Sequence, residues 1–415
     1  MSDDLSPSSP EVMNAFYRRL YPFKSVFKWL NHEHTPTRQW TNREIAYSLQ
    51  NDVYLRYQSF ANADEFKKQT CTLNPTRFEI GPVYSARPKD KKVMRNTALT
   101  PLLRELVFDI DMTDYDSIRT CCTGASICKR CWGFISAAVI VIDSSIREHF
   151  GYQHLLWVYS GRRGIHLWVS DREAMELTDE QRRAVVGWMT VVAGGKEMAK
   201  KVNVRINGGK GTEPSLPPAV KDALGILVGR FTDLILADQD CFQERARWEE
   251  LLKLIPDKSI VRSLQDKWDD DEDRTSEEKW DNLKREIQKY KKSERGPMMA
   301  ALEDIVLQYT YPRIDAEVSK HRNHLLKAPF CVHPKTGRIC VPIDPELVDE
   351  FDPDTVPTVG QLLQELDATK TESSTEEHSD WEKTSLKPYV DMLEKYAMGL
   401  MGEVRRVKRE MDTSW

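Results

Sequence analysis

The chain has 415 residues, room for two or three domains, and its 40% hydrophobic content with 11 tryptophans excludes a disordered polymer. A formal net charge of −5 excludes a generic polyanion binder, so any nucleic-acid role needs local basic patches or a partner. No apolar run approaches the roughly 20 residues of a bilayer-spanning helix, and the polar start, Met1 to Ser9, has no signal-peptide pattern. A soluble protein in a reducing intracellular setting, with no membrane contact and no disulfides, is the expectation.

Ser9-Pro10-Glu11 reads as a helix start: a capping serine, proline in the first turn and an acid beside the positive dipole end. Met13, Phe16, Tyr17 and Leu20 then follow helical spacing up to Pro22, and a second amphipathic stretch runs from Phe23 to Leu30. Residues 52–60 alternate like a strand, as do 77–84, where Gly81-Pro82 predicts an interruption. Leu106, Val107, Phe108 and Ile110 make 104–112 a buried strand. Side chains alternate along it, so Glu105, Val107, Asp109 and Asp111 share one face. Two neighbouring carboxylates repel unless a hard cation neutralises them, which makes Asp109 and Asp111 a candidate seat for Mg²⁺ or Mn²⁺. A solvated strand end without metal is the alternative.

Cys121, Cys122, Cys128 and Cys131 follow within eleven residues. Cys-x-x-Cys at 128–131 has zinc-knuckle spacing, and Gly124 allows the sharp turn that the adjacent Cys121-Cys122 pair requires. Four thiolates would close a tetrahedron and make the site structural; four ordinary buried thiols or an iron–sulfur cluster are the alternatives. Cys71, Cys241, Cys331 and Cys340 are expected to be packing residues. A helix is predicted over 133–150, then strands at 154–160 and 164–170. Between them lies Tyr159-Ser160-Gly161-Arg162-Arg163-Gly164-Ile165-His166. Two guanidiniums, a hydroxyl, backbone N–H groups and an imidazole at the mouth of a core hairpin suit a polyphosphate; a solubilising hairpin tip is the alternative.

Residues 178–198 read as helical, 206–218 as a Gly/Pro loop, and 218–295 as charged helices with an acidic run at Asp269–Asp273. Strand-like sequence returns at 310–343, with Asp315 in Pro312-Arg313-Ile314-Asp315, then His324-Leu325-Leu326-Lys327 and His333-Pro334-Lys335-Thr336-Gly337-Arg338. Together these could supply the third acid, the cation and the polar ring of a two-metal nucleotidyl transferase. Residues 366–386 are Ser/Thr/Glu-rich and predict a flexible acidic linker. In 387–415, Val390, Leu393, Ala397, Leu400, Val404 and Val407 form a heptad-like stripe ending in Arg405, Arg406, Lys408 and Arg409. Such a helix could dock on its own domain or on a partner.

Taken in order, Glu-Leu-Val-Phe-Asp-Ile-Asp, the four cysteines, Tyr-Ser-Gly-Arg-Arg-Gly-Ile-His and Asn-His-Leu-Leu-Lys followed by His-Pro-Lys-Thr-Gly-Arg closely resemble the small, catalytic subunits of eukaryotic DNA primases, in the archaeo-eukaryotic primase superfamily. The resemblance spans residues 10 to 365. It implies a mixed α/β catalytic fold in two parts, 10–204 with its zinc knuckle at 121–131 and 296–365, interrupted by a mostly helical insertion at 205–295. It implies RNA primer synthesis on single-stranded DNA from ribonucleoside triphosphates. Asp109, Asp111 and Asp315 match the family's metal-binding acids for two Mg²⁺ or Mn²⁺ ions. Ser160, Gly161, Arg162, Arg163, Gly164, Ile165, His166, His324, Leu325, Leu326, Lys327 and His333 match nucleotide-binding positions, and Glu44 matches one near the nucleotide sugar. Cys121, Cys122, Cys128 and Cys131 match the family's Zn²⁺ site. Glu79 stands where the family often has Asp near the ribose hydroxyls, Arg56 is a further candidate, and Glu105 is a candidate to lie behind the metal ligands. Implied partners are the primase large subunit, in a heterodimer, and the DNA polymerase alpha complex, in the nucleus. A repair or damage-tolerant polymerase of the same superfamily, or a non-catalytic zinc-bearing scaffold subunit, is the alternative.

Overall fold

A computed structural model describes residues 6–95, 99–192, 202, 204–206, 215–271, 273–369 and 379–413. The chain divides into two compact units: Met1–Asp109 with Tyr152–Val186 and Ala316–Trp415, and Ile110–Gly151 with Gly187–Asp315. The mixed α/β class expected from sequence holds, and the strands are β1 (Arg43–Ser48), β2 (Tyr54–Gln58), β3 (Arg77–Tyr84), β4 (Pro101–Leu103), β5 (Leu106–Asp111), β6 (Leu155–Tyr159), β7 (Gly164–Val169), β8 (Leu326–Lys327) and β9 (Pro342–Ile343). One sheet runs β2-β1-β3-β4 with β8 added beside β3; the other runs β5-β7-β6-β9.

In the first unit, the helix Pro10–Arg19 begins as its sequence requires, with the Ser9 hydroxyl accepting from the Val12 N–H. Its buried Phe16 and Tyr17, with Tyr21, meet Phe78 and Tyr47 on the core face of the first sheet, alongside Phe66 from the helix Ala63–Leu73. Register pairs Tyr47 with Phe78 on that face, and Ala46 with Glu79 and Ser48 with Arg77 on the other. The interruption expected at Gly81-Pro82 is a bulge: β3 runs on as a strand, but its register against β1 slips there, Arg43 facing Val83 and Ile45 facing Ile80. A Cβ at Gly81 would lie 3.0 Å from the Glu44 Cβ, so the glycine makes room for Glu44 inside a continuous strand. The final helix, Lys387–Thr413, packs against Phe23–Asn31, where Glu394 accepts from Ser25 at 2.8 Å. Val390, Leu393, Ala397 and Leu400 are buried there, whereas Val407 is exposed, so most of the stripe docks on its own unit.

Glu105, which alternation puts on the face of Val107, Asp109 and Asp111, is the centre of a buried ionic cluster. It sits one residue before β5, fully buried, with Arg43 donating to both of its oxygens at 2.8 Å and Arg104 at 3.2 Å. Arg182, equally buried, donates to the carbonyls of Arg104, Glu105, Ala174 and Leu177. The Arg104 guanidinium lies over the Trp168 ring at 4.9 Å, an electrostatic contact for a cation with few acceptors. Burial pushes Arg104 down to about 10 and Arg182 down to about 9, so both stay charged at neutral pH.

The second unit is helical, with Lys129–Phe150 against Pro218–Arg230, the π-helical turn Phe231–Asp238 and Gly296–Thr310, and with Arg245–Leu252, Lys258–Asp269 and Ser276–Gln288 completing it. The helix predicted at 133–150 starts earlier because Cys128 closes a capping box with Cys131. The strand-like expectation for 310–343 fails: only β8 and β9 form, two residues each, because Gly, Pro and His turns break the pairing. Asp315 lies in an irregular segment directly before the helix Ala316–Lys320. The helix expected over 178–198 is seen as Asp179–Met189; residues 193–200, most of the loop at 206–218 and the middle of the linker, 370–378, lie outside the described residues. Among the described residues no helix is long and apolar enough to cross a membrane.

Burial alone would raise the Glu105 carboxyl; Arg43 and Arg104 outweigh it and bring the group from 4.5 to about 2. Because the folded value lies below the unfolded one, this stabilisation is full above pH 4.5, shrinks as pH falls, and is gone below about pH 2. Its size is ~3 kcal/mol. A Glu105→Gln chain should be less stable than its parent at pH 7 in denaturant unfolding, by about 3 kcal/mol or more. Its stability should also fall less steeply between pH 4.5 and about 2. Parallel pH curves for the two chains would remove Glu105 as the source.

Candidate functional site

The outward face of the first sheet carries polar side chains in register. Tyr54 stands opposite Ser48, which stands opposite Arg77; Glu79 stands between Ala46 and Lys327. The Tyr54 hydroxyl donates to Glu79 at 2.5 Å, and Arg77 lies 3.6 Å from the same carboxylate. Burial, then the Glu79 bond and charge, raise the Tyr54 phenol, so it remains a donor. Beside them β2 bulges: Tyr57 has φ 62, a costly value for a residue with a side chain, and its N–H donates to Glu44 at 2.9 Å. Glu44 is fully buried. Its oxygens also accept two bonds from Arg56, at 2.9 and 3.1 Å, and one from Tyr84 at 3.0 Å. Its carboxylate is committed to holding Arg56, Tyr84 and the bulge.

The hairpin of β6 and β7 carries the basic turn. Register pairs Tyr159 with Ile165, and the Ser160 hydroxyl accepts from the Gly164 N–H at 3.0 Å, closing the loop. Gly161 has φ 86, and a Cβ there would lie 2.8 Å from the His333 Cβ, so only glycine fits. Lys327, at the end of β8, donates to the Ser160 carbonyl at 2.5 Å and so joins the loop to the outward face of the first sheet. Burial first, then Lys327, Arg162, Arg163 and Arg77, push the His333 imidazole down to about 4. Its Nδ1 accepts from the Lys335 N–H at 3.3 Å, as a neutral ring can. Lys327, Arg162, Arg163 and Arg77 all act on this one histidine, so the region is positive, the environment a polyphosphate seeks. Ile165 and Leu326 are buried, so they shape this region from the core side; Leu325 and His324 are half-buried beside it.

Along β7 from the loop, the His166 Nε2 lies 3.7 Å from the Asp109 Oδ1. Asp109 and Asp111 are both half-buried near the end of β5. Asp111 accepts from the Thr113 N–H at 2.8 Å and hydroxyl at 2.6 Å, which fixes its orientation as the strand gives way to a turn. Hard oxygen donors of this kind suit Mg²⁺ or Mn²⁺.

The four cysteines come together in the second unit. Their Sγ atoms all lie within 4.8 Å of one another, the one such cluster of potential metal ligands among the described residues. Cys128 and Cys131 sulfurs are 3.9 Å apart, close to the ~3.8 Å edge of a tetrahedron with zinc–sulfur bonds of about 2.3 Å. The cluster could therefore hold zinc. Gly124 takes φ 57 at the turn, and its N–H donates to Asp116 at 2.9 Å. The buried Arg119 ties the loop shut by donating to Asp116, to the carbonyls of Gly124 and Ser126, and to the Cys131 sulfur at 3.7 Å. Gln239 donates to the Cys121 sulfur at 3.4 Å.

Tyr54, Arg77, Arg119 and Gln239 are additions to the residues expected from sequence. Period-two alternation could have found the first two, since Tyr54 and Arg77 sit two places from the candidates Arg56 and Glu79. Nothing local marks Gln239.

A model of the DNA primase small subunit family matches residues 108–345. The DNA primase small subunit of Schizosaccharomyces pombe is 48% identical over 359 residues, covering 86% of this chain and 78% of that protein. The DNA primase small subunit of Saccharomyces cerevisiae is 38% identical over 413 residues, covering 98% and 95%. Among solved structures, the polymerase domain from Mycobacterium tuberculosis ligase D in complex with DNA is 10% identical with a TM-score of 0.35, covering 92% of this chain and 93% of that one. With sequence identity sustained over nearly its whole length, the chain belongs to the DNA primase small subunit family, whose members are nucleotidyltransferase-type enzymes.

Proposed function

We propose that this chain is the catalytic subunit of a nuclear primase. It builds short RNA primers on single-stranded DNA from ribonucleoside triphosphates, for the initiation of replication and for lagging-strand synthesis. The observation that carries the nucleotide chemistry is the set of cations around His333, of which Arg162 and Arg163 lie on the same hairpin as His166, itself 3.7 Å from Asp109. Arg162, Arg163 and Lys327 neutralise the triphosphate, and charge that builds on it in the transition state is met by the same groups. Glu79, steadied by Tyr54, is placed to accept from the ribose hydroxyls, with Glu44 acting through Arg56. His166 steadies the Asp109 carboxylate. Two divalent ions, Mg²⁺ or Mn²⁺, held by Asp109 and Asp111 with Asp315 as the family's third acid, would lower the pKa of the attacking 3′-hydroxyl and balance the charge of the departing pyrophosphate.

A net charge of −5 leaves little general affinity for DNA, since phosphate neutralisation supplies most of it. A primase large subunit that helps hold template and primer answers that need, and the polymerase alpha complex would take over the primer. The basic end of the final helix is a poor nuclear signal as folded: Arg406 pairs with Glu403 and Glu410, and Lys408 with Glu33.

The deciding experiment is unprimed synthesis on a polypyrimidine single strand, with and without the large subunit. Products from ribonucleotides without a starting end are expected; extension of existing ends from deoxynucleotides alone would replace this reading with a repair polymerase. Asp109→Ala should abolish synthesis with the unfolding midpoint unchanged, and primers made by that protein would remove Asp109 from the chemistry. Arg163→Ala should raise the KM for ribonucleotides by about tenfold or more, the cost of one charge-assisted contact, with a smaller change in kcat. Elemental analysis should find one zinc per chain. Cys131→Ser should lose it and lower the thermal midpoint, because structural zinc contributes folding energy directly. A metal-free parent of full stability would overturn the zinc assignment.

A further inference from the structure

The turn at 333–338 belongs to a motif whose middle residues, Lys335, Thr336 and Arg338, have no role in the reading above. That turn leans on the basic loop. The Thr336 hydroxyl donates to the Gly161 carbonyl at 2.7 Å. Cys340, two residues beyond the turn, donates to the Ser160 carbonyl at 3.2 Å, which Lys327 also holds. The Tyr159 hydroxyl donates to the Arg162 carbonyl at 2.8 Å. Three consecutive carbonyls, 160 to 162, are thus each fixed by a side-chain donor on the protein side of the loop. A peptide unit is planar and trans, so the N–H that follows each carbonyl points the opposite way. Those are the N–H groups of Gly161, Arg162 and Arg163. Those of Gly161 and Arg162 have no hydrogen-bond acceptor among the described residues. Backbone N–H groups aligned outward in a glycine-bearing turn form an anion-binding nest.

Of the four donors, Thr336 alone comes from the turn at 333–338, where its side chain is half-buried. The turn itself is well anchored: the His333 N–H donates to the Arg338 carbonyl at 2.8 Å, the Val359 N–H to the Gly337 carbonyl at 2.8 Å, and Arg338 pairs with Asp354 at 2.6 Å. The Thr336 hydroxyl therefore reaches the loop from a fixed base. Its removal leaves the Gly161–Arg162 peptide free to rotate, because Gly161 at φ 86 has many alternatives. We propose that Thr336 is a positioning residue for the triphosphate, acting by holding the Gly161 carbonyl so that the 160–164 loop presents its N–H groups to the phosphates. This rests on the reading of that loop as the nucleotide's triphosphate cradle.

Full-length chains with Thr336→Val and Thr336→Ser separate the hydroxyl from its packing. Two quantities are measured: the Kd for inorganic triphosphate with Mg²⁺ by calorimetry, and the ribonucleotide KM and kcat in unprimed synthesis. Thr336→Val should raise both the Kd and the KM by about tenfold, the size of one lost hydrogen bond, with kcat within about twofold. Thr336→Ser, which keeps the donor, should stay within about twofold of the parent in all three. Thr336→Val binding triphosphate like the parent would overturn the proposal. So would equal losses in the two variants, or a loss confined to kcat. If the parent binds triphosphate but makes no primers, while Thr336→Val binds about tenfold more weakly, the primase reading falls and the role of Thr336 stands. If the parent makes primers and both variants match it, Thr336 has no such role and the primase reading stands.

Discussion

One buried carboxylate organises the first unit. Glu105 sits in the interior with Arg43 from β1 on both its oxygens and Arg104, its own neighbour, on one of them. An isolated ionised carboxylate in such a place would be prohibitive, and so would the guanidiniums without it. The group is therefore tolerated only as a set, and the set has one arrangement. Arg43 belongs to the first sheet; Glu105 leads into β5 of the second; Arg182, from the helix Asp179–Met189, closes the carbonyls of Arg104 and Glu105. Slipping β5 by one residue would carry Glu105 away from Arg43 and reverse every side chain on the strand. Asp109 is four residues further on, so the network that fixes Glu105 also fixes which way Asp109 faces and how far it reaches. Replacing such a set with apolar residues could be neutral in stability, whereas removing one member is not. Its value is in register.

The same logic, with the sign reversed, governs the basic loop. Cations brought close together repel, and the structure bears that cost visibly in His333, which burial and four nearby cations keep neutral. The loop does not relax away because its carbonyls are held from behind by Thr336, Cys340, Lys327 and Tyr159. If the loop is the cradle proposed above, its groups are arranged before a ligand arrives, and little reorganisation would remain on binding.

Composition, alternation and motif spacing were enough to read β5, the β6–β7 hairpin, the cysteine cluster and the first two helices, because each is local: a cap, a period or a turn states itself within a few residues. Alternation does not tell that Glu105, just before the strand, is buried in an ionic cluster, because a distant arginine, Arg43, decides its environment. Gly81-Pro82 announces the irregularity in β3, but not its reason, the space occupied by Glu44, which belongs to the neighbouring strand. The segment 310–343 carries strand-like composition but only two short pairings, since its side chains serve turns that buttress other elements. Arg119 and Gln239 were silent as well. Gln239 reaches Cys121 from 118 residues away, whereas the partners of Arg119 are nearby but are mostly carbonyls, which no residue type announces.

The juxtaposition of opposite signs in the first unit has a chemical meaning of its own. Asp109 lies 3.7 Å from His166, and His166 is only two residues beyond the end of the basic loop at Gly164. A carboxylate so near an anion-binding loop would repel a bare polyphosphate and weaken the cationic field that the loop was built to supply. On the reading proposed above, a polyphosphate carrying a divalent cation would bring both signs itself, its phosphates to the arginines and its cation to the acid. In a chain of net charge −5 this also restricts what can bind tightly. A compact, metal-bearing triphosphate, the ligand proposed above, would have both of its charges answered there.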